Sequence, residues 1–168
     1  MPEIADVLAE LEARVARLEE RLRPDPGTSE TAANAAEPFW ALNELERRHP
    51  DGAVLYVGAV PTPDGPVRWQ MGHSSTGLID EDWTAHAAAL SALGHPSRLQ
   101  ILQAIARGEA HTAADLAQAE GLGTTGQIYH HLRQLVTAGW LRSSARGQYA
   151  VPGERVVPLL VILSGARR

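Results

Sequence analysis

Residues 123–140, GTTGQIYHHLRQLVTAGW, decide how the rest of the chain is read. Thr124 followed three positions later by Gln127 is the reciprocal cap that opens a helix. Ile128, Leu132, Leu135 and Val136 recur at helical spacing and predict one buried face. On the opposite face, at about 100° per residue, stand Gly126, His130, Arg133 and Thr137, with Gln127 and Tyr129 flanking them. Donors, acceptors and a cation with little bulk at the N-terminal end suit a helix that enters the major groove of DNA. The two adjacent histidines also invite a metal or acid–base reading. Sequence neighbours point about 100° apart on a helix, so His130 and His131 cannot chelate one ion from it. His130 is expected to face DNA, and His131, nearer the buried edge, to pack.

Working outward, residues 112–121, TAADLAQAEG, begin with Thr112 and Asp115 in a weaker version of the same cap. Leu116 and Ala117 are expected to face inward, and Gly121 lets the chain turn sharply into the next helix. Upstream, DEDWTAHAAALSAL from Asp80 opens with acids suited to a helix N-terminus. In GHPSRLQILQAIARG, Gly94 ends one helix and Pro96 starts another, with Leu99, Leu102, Ile105 and Ala106 as its apolar stripe and Gly108 as its stop. Downstream, residues 140–144 (WLRSS) and 148–151 (QYAV) read as two short strands around Ala145-Arg146-Gly147. Helix, turn, helix and an arginine-tipped hairpin is the order of a winged helix-turn-helix, whose tip can meet phosphate or the minor groove.

Composition agrees with a polyanion partner and removes several chemistries. The 168 residues contain no cysteine and no lysine, which excludes disulfides, thiolate nucleophiles, Cys-based zinc sites, Schiff bases and a P-loop lysine. The net charge of −5 is unevenly distributed. Residues 1–83 hold sixteen Asp/Glu against seven Arg, whereas residues 84–168 hold four against eight. From Gly121 to Gly153 there is no carboxylate, while Arg133, Arg142 and Arg146 fall inside that interval. Glu3, Asp6 and Glu10 are unlike a secretory signal, and the longest aliphatic run, VVPLLVIL at 156–163, is too short to span a bilayer. A cytoplasmic protein with no membrane partner and no cofactor is expected.

The N-terminal half is organised differently. Ile4, Leu8, Leu11, Val15, Leu18 and Leu22 step by 4, 3, 4, 3, 4, a heptad seam that predicts a parallel two-stranded coiled coil over residues 1–22. Arg14 and Glu19 would pair across it. Residues 23–37 are a linker of Pro, Gly and small polar residues. A region at 38–79 follows: a short helix with Phe39, Leu42 and Leu45 on one face, a strand at 53–60, a turn at 61–66 and a strand at 67–71. A lone hairpin is marginal in water and must find a cover. GHSSTG at 72–77 lacks the second glycine of a nucleophile elbow and is expected to be a polar loop.

LSALGHPSRLQIL, TAADLAQAEGLGTTGQIYHHLRQLVTAGWL and RGQYAV together resemble the ArsR-type (arsenical-resistance repressor) winged-helix regulators over about residues 84–163. The resemblance implies a homodimer, with the helix from Thr125 in the major groove and the last helix in the interface. The segment between Ala117 and Ile128 is one residue longer than that family's usual pattern. Its metal sites are not carried over, since Cys is absent and the last helix has neither His nor acid in its apolar run. The expected fold is α+β and mainly helical: an N-terminal coiled-coil helix, a helix plus β-hairpin region, and a winged helix-turn-helix at 80–168. The expected function is a sequence-specific, homodimeric transcriptional repressor; the alternative is a winged-helix module for protein contacts without DNA. DNA contacts are assigned to Thr124, Thr125, Gly126, Gln127, Tyr129, His130, Arg133, Arg142 and Arg146. Dimer contacts are assigned to Leu8, Leu11, Val15, Leu18, Leu22, Val157, Leu160 and Val161. A small-molecule effector or protein partner is expected at residues 38–79.

Overall fold

The computed structural model describes residues 11–15, 17, 38–119, 121–144 and 146–167. Two compact units are present, residues 1–50 and 51–168. In the first, residues 11–15 and 17 are helical and Leu11 and Val15 are exposed. The remaining seam positions, Ile4, Leu8, Leu18 and Leu22, lie outside the described residues, as does the linker. Helix α1 spans Trp40–Arg48. Glu44 accepts from Arg47 at 2.7 and 2.9 Å and also from Arg48, and these guanidinium bonds hold its carboxyl down at about 2. Phe39, Trp40 and Leu42 are all exposed.

The second unit opens with the expected hairpin, β1 (Ala53–Val60) antiparallel to β2 (Val67–Ser74). Tyr56, Gly58 and Val60 pair with Met71, Trp69 and Val67, and this alternate set forms the more covered face. The turn is braced by Thr62, whose N–H and hydroxyl both donate to the carbonyl of Gly65, at 3.3 and 2.6 Å. The hairpin shares one compact unit with the winged helix, and its cover is a helix: its covered face meets the last one, α7 (Gly153–Gly165).

GHSSTG is not a loop. β2 continues through Ser74, whose hydroxyl accepts from the Gly77 N–H at 3.3 Å and starts α2 (Ser75–Asp80). The acids of DEDW do not open an α-helix: Asp80 ends α2, Glu81 follows it, and Asp82 caps a 3-10 turn at Trp83–His86, with α3 after it at Ala87–Leu93.

Helices α4 (Pro96–Ala106), α5 (Ala113–Ala117) and α6 (Thr125–Thr137) build the core. Ile101, Leu116, Ile128, Leu132 and Leu135 are fully buried, with Leu102, Ile105, Trp140 and Leu141 nearly so. Burial of a large aliphatic side chain stabilises by roughly 1.5–3 kcal/mol, so this cluster dominates the unit. Two expected core positions move. Ile101 rather than Ala106 completes the stripe of α4, because α4 packs against both α3 and α6. Ala113 rather than Ala117 is buried beside Leu116 in the five-residue α5.

Helices α4 and α6 are each followed by a glycine where the geometry requires one. Gly108 (φ +73°) and Gly139 (φ +73°) follow α4 and α6. The N–H of the next residue reaches back to Ala104 and Leu135 respectively, at 2.9 Å in each case. The wing is β3 (Arg142–Ser143) paired with β4 (Tyr149–Ala150). A bridge from Gln148 to Thr112 and a 2.7 Å bond from the Tyr149 N–H to the His111 carbonyl tie it to the start of α5.

The assignment of Val157 to a dimer interface is corrected. Val157 is 2% exposed within the single chain, seated in the space left by the missing side chain of Gly58. Nor is α7 buried all round. Leu160 and Val161 are 44% and 39% exposed, and Ile162 and Leu163 are open on the same stretch.

Candidate nucleic-acid interface

The site is built on two capped helices and the turn between them. At α5, the Asp115 carboxylate accepts the backbone N–H groups of His111 and Thr112 at 2.9 and 2.8 Å, and the Thr112 hydroxyl accepts the Asp115 N–H. Those donors lower the Asp115 pKa, the His111 N–H contributing most. The cap that looked weak in sequence is therefore complete. At α6, Thr124 Oγ1 accepts the Gln127 N–H at 3.4 Å, and Gln127 Oε1 accepts the Thr124 N–H at 2.7 Å.

That second bond spends one acceptor site of the Gln127 oxygen on the cap and leaves the NH₂ group of this exposed side chain outside it. Gly123 (φ +85°) makes the arrangement possible, since a Cβ there would collide with the Gln127 side chain. Leu122, between Gly121 and Gly123, is buried and anchors the turn.

Along α6, Ile128, Leu132 and Leu135 point into the core. Thr125, Gly126, Gln127, Tyr129, His130, Arg133 and Thr137 are all exposed. Thr124, Gly126, Gln127 and His130 line one open hollow together with His95, Ser97 and His131. Thr125, Tyr129 and Arg133 share the exposed side of α6 without lining that hollow.

His131 packs, as expected, and its neighbour is a residue the sequence did not single out. The His95 ring lies 4.6 Å from that of His131, centroid to centroid, and the His130 ring lies 5.8 Å from it. His95 is itself the N-cap of α4, its Nδ1 accepting the Ser97 N–H at 3.2 Å. Burial lowers the His131 pKa, and His95, His130 and Arg98 lower it further by charge repulsion. Among the described residues, no group of three or more His, Asp or Glu side chains has a metal-binding arrangement.

In the wing, Gly147 (φ +70°) turns the chain and the Arg146 N–H donates to Ser144 Oγ at 3.3 Å, with the Arg146 residue exposed. Trp140 locks the wing's root: its Nε1 donates to the Ala89 carbonyl at 2.9 Å, and Arg155 lies over its ring at 5.2 Å. Arg142, in β3, lines a cavity together with Arg107 and His111. No local signal marked that cavity, because its walls come from segments up to a hundred residues apart.

Residues 93–143 match the helix-turn-helix domain family, from the end of α3 through β3. No curated protein matches the chain. The matched span, the wing and the acid-free exposed side of α6 define the class: this chain carries a helix-turn-helix domain of the kind found in DNA-binding regulators. Among the described residues, no helix is long and apolar enough to cross a membrane.

Proposed function

We propose that the protein is a homodimeric transcriptional regulator that reads double-stranded DNA with α6 and steadies the duplex with its wing. The observation that carries this is the exposed side of α6. It presents small and polar groups at its N-terminal end, followed by Arg133, and no carboxylate lies between Gly121 and Gly153 to repel phosphate. Thr124, Thr125, Gly126, Gln127, Tyr129, His130 and Arg133 form the base- and backbone-facing set. Arg146 at the wing tip meets phosphate or the minor groove. The ArsR-type resemblance and the exposed apolar stretch of α7 support a dimer. Val161, exposed on α7, joins the N-terminal heptads as one of its contacts. Two-fold symmetry then calls for an inverted repeat with half-sites about 10 or 20 bp apart. As a regulator of this type it represses by occupying its operator.

Selection of bound duplexes from a random pool, followed by footprinting, tests the proposal. An enriched inverted repeat is the expected result. A pool that yields no enriched sequence and no salt-sensitive binding replaces this function with protein contact.

A further inference from the structure

A cavity of about 710 Å³ opens between the hairpin turn, α4, the root of the wing and α7. Its apolar walls come from Val60, Val67, Leu102, Ile105, Val151 and Leu159. Protein interiors normally close up voids larger than a water molecule, so an opening of this size needs walls that cannot collapse. Here they are stiff. The turn PTPDGP contributes Pro61, Pro63 and Pro66 and is braced by the Thr62–Gly65 bonds. The turn also abuts the end of α4 at Gly108, where an added Cβ would lie 2.8 Å from Pro63.

The charged groups on the lining are unequal. Arg107, His111 and Arg142 face it against Asp64 alone. Arg107 also meets Glu109 at 3.5 Å, but Arg142 has no carboxylate partner among the described residues. A volume in the usual range for small-molecule sites, apolar walls and an unpaired guanidinium are the combination that fixes an apolar ligand by one anionic end.

We infer that this cavity is a binding site for a small amphipathic monoanion, an apolar body carrying one carboxylate or sulfonate that pairs with Arg142. The site does not depend on DNA recognition, and its test contains no DNA, so failure of the proposed function leaves the result standing.

The probe is anilinonaphthalene sulfonate, titrated into the full chain and followed by fluorescence. The expected result is saturable binding at one site per chain. Decanoate displaces the probe, and decanol, of the same length but uncharged, does so about tenfold less well, the loss of one charge-assisted bond. Arg142→Gln should erase the difference between acid and alcohol. Ala106→Trp, an exposed position on the cavity wall, should abolish probe binding while the melting curve is retained; Gln103→Trp serves if that variant does not fold. Probe binding unchanged by a folded filling variant overturns the site. Equal displacement by decanol and decanoate overturns the anion. A signal that vanishes as the chain is concentrated shows that a second copy covers the cavity, and also overturns the proposal.

Discussion

Gly58→Ala is the sharpest perturbation of the contact that joins the hairpin to the winged helix. A Cβ at Gly58 would lie 2.7 Å from both methyl groups of Val157, where ordinary contact begins at 3.4 Å. One side must therefore retreat by roughly 0.7 Å, the difference of those two values. Val157 cannot swing aside, being nearly fully buried and stiff at χ1. Overpacking of this kind costs about 1–3 kcal/mol. Replacing Gly in a strand returns about 0.5–1 kcal/mol, since alanine loses less backbone freedom on folding. The net expectation is a loss of up to about 2.5 kcal/mol, or up to roughly 10 °C in melting temperature for a unit of this size. Urea unfolding followed by circular dichroism measures it. Val157→Ala alone should also destabilise, by leaving a void. The double variant exchanges one methyl for two and should be more stable than the sum of the single changes by about 1 kcal/mol or more. Additivity of the two changes would refute the claim that these residues compete for the same space.

Four further outcomes are expected. Arg146→Ala should weaken specific and random duplexes alike and reduce the salt slope by about one unit, read from binding isotherms at several salt concentrations. Gln127→Glu keeps the oxygen that caps α6 but adds charge and removes the NH₂ donor, so melting should be unchanged while DNA affinity falls; Gln127→Ala should lower both, the DNA loss being about 1–3 kcal/mol. Val161→Asp, outside the cavity and exposed on α7, should shift sedimentation toward monomer with the winged helix still folded. Because the folded pKa of His131 lies below its usual value of about 6.5, the unfolded chain takes up the proton first; stability is full above that pH and falls toward the depressed value, and His131→Asn should flatten this slope in melting experiments from pH 7.5 to pH 5, roughly the range in which histidine titrates.

Much of the winged helix was legible because its signals are local. Thr124 with Gln127 and Thr112 with Asp115 each lie within one turn, and each forms the bonds that its spacing calls for. Gly108 and Gly139 end their helices for the same short-range reason. The errors come where an element is too short to establish a period, or where packing on two sides blurs it. Five residues of α5 do not distinguish Ala113 from Ala117, and α4, covered on more than one side, buries Ile101 outside the expected stripe. The six residues of α2 are started by a single hydroxyl cap, with no buried residue to mark a helical face.

Val157 shows the deeper reason some features stay hidden. A run as apolar as VVPLLVIL predicts burial but does not say against what. The partner of Val157 is Gly58, a residue about a hundred positions away whose contribution is the absence of a side chain. No periodicity encodes that fit, because complementarity between distant segments is a property of the pair. The same holds for Arg142. Within RSSARGQYA it looks equivalent to Arg146, four residues on in the same hairpin. Only the approach of the hairpin turn and α4 places it on a cavity wall while Arg146 stays at the wing tip. A capped helix with one buried face is written in eighteen consecutive residues and can be recognised from them. A cavity walled from Val60 to Leu163 has no sequence of its own, so its chemistry emerges only once the chain has folded around it.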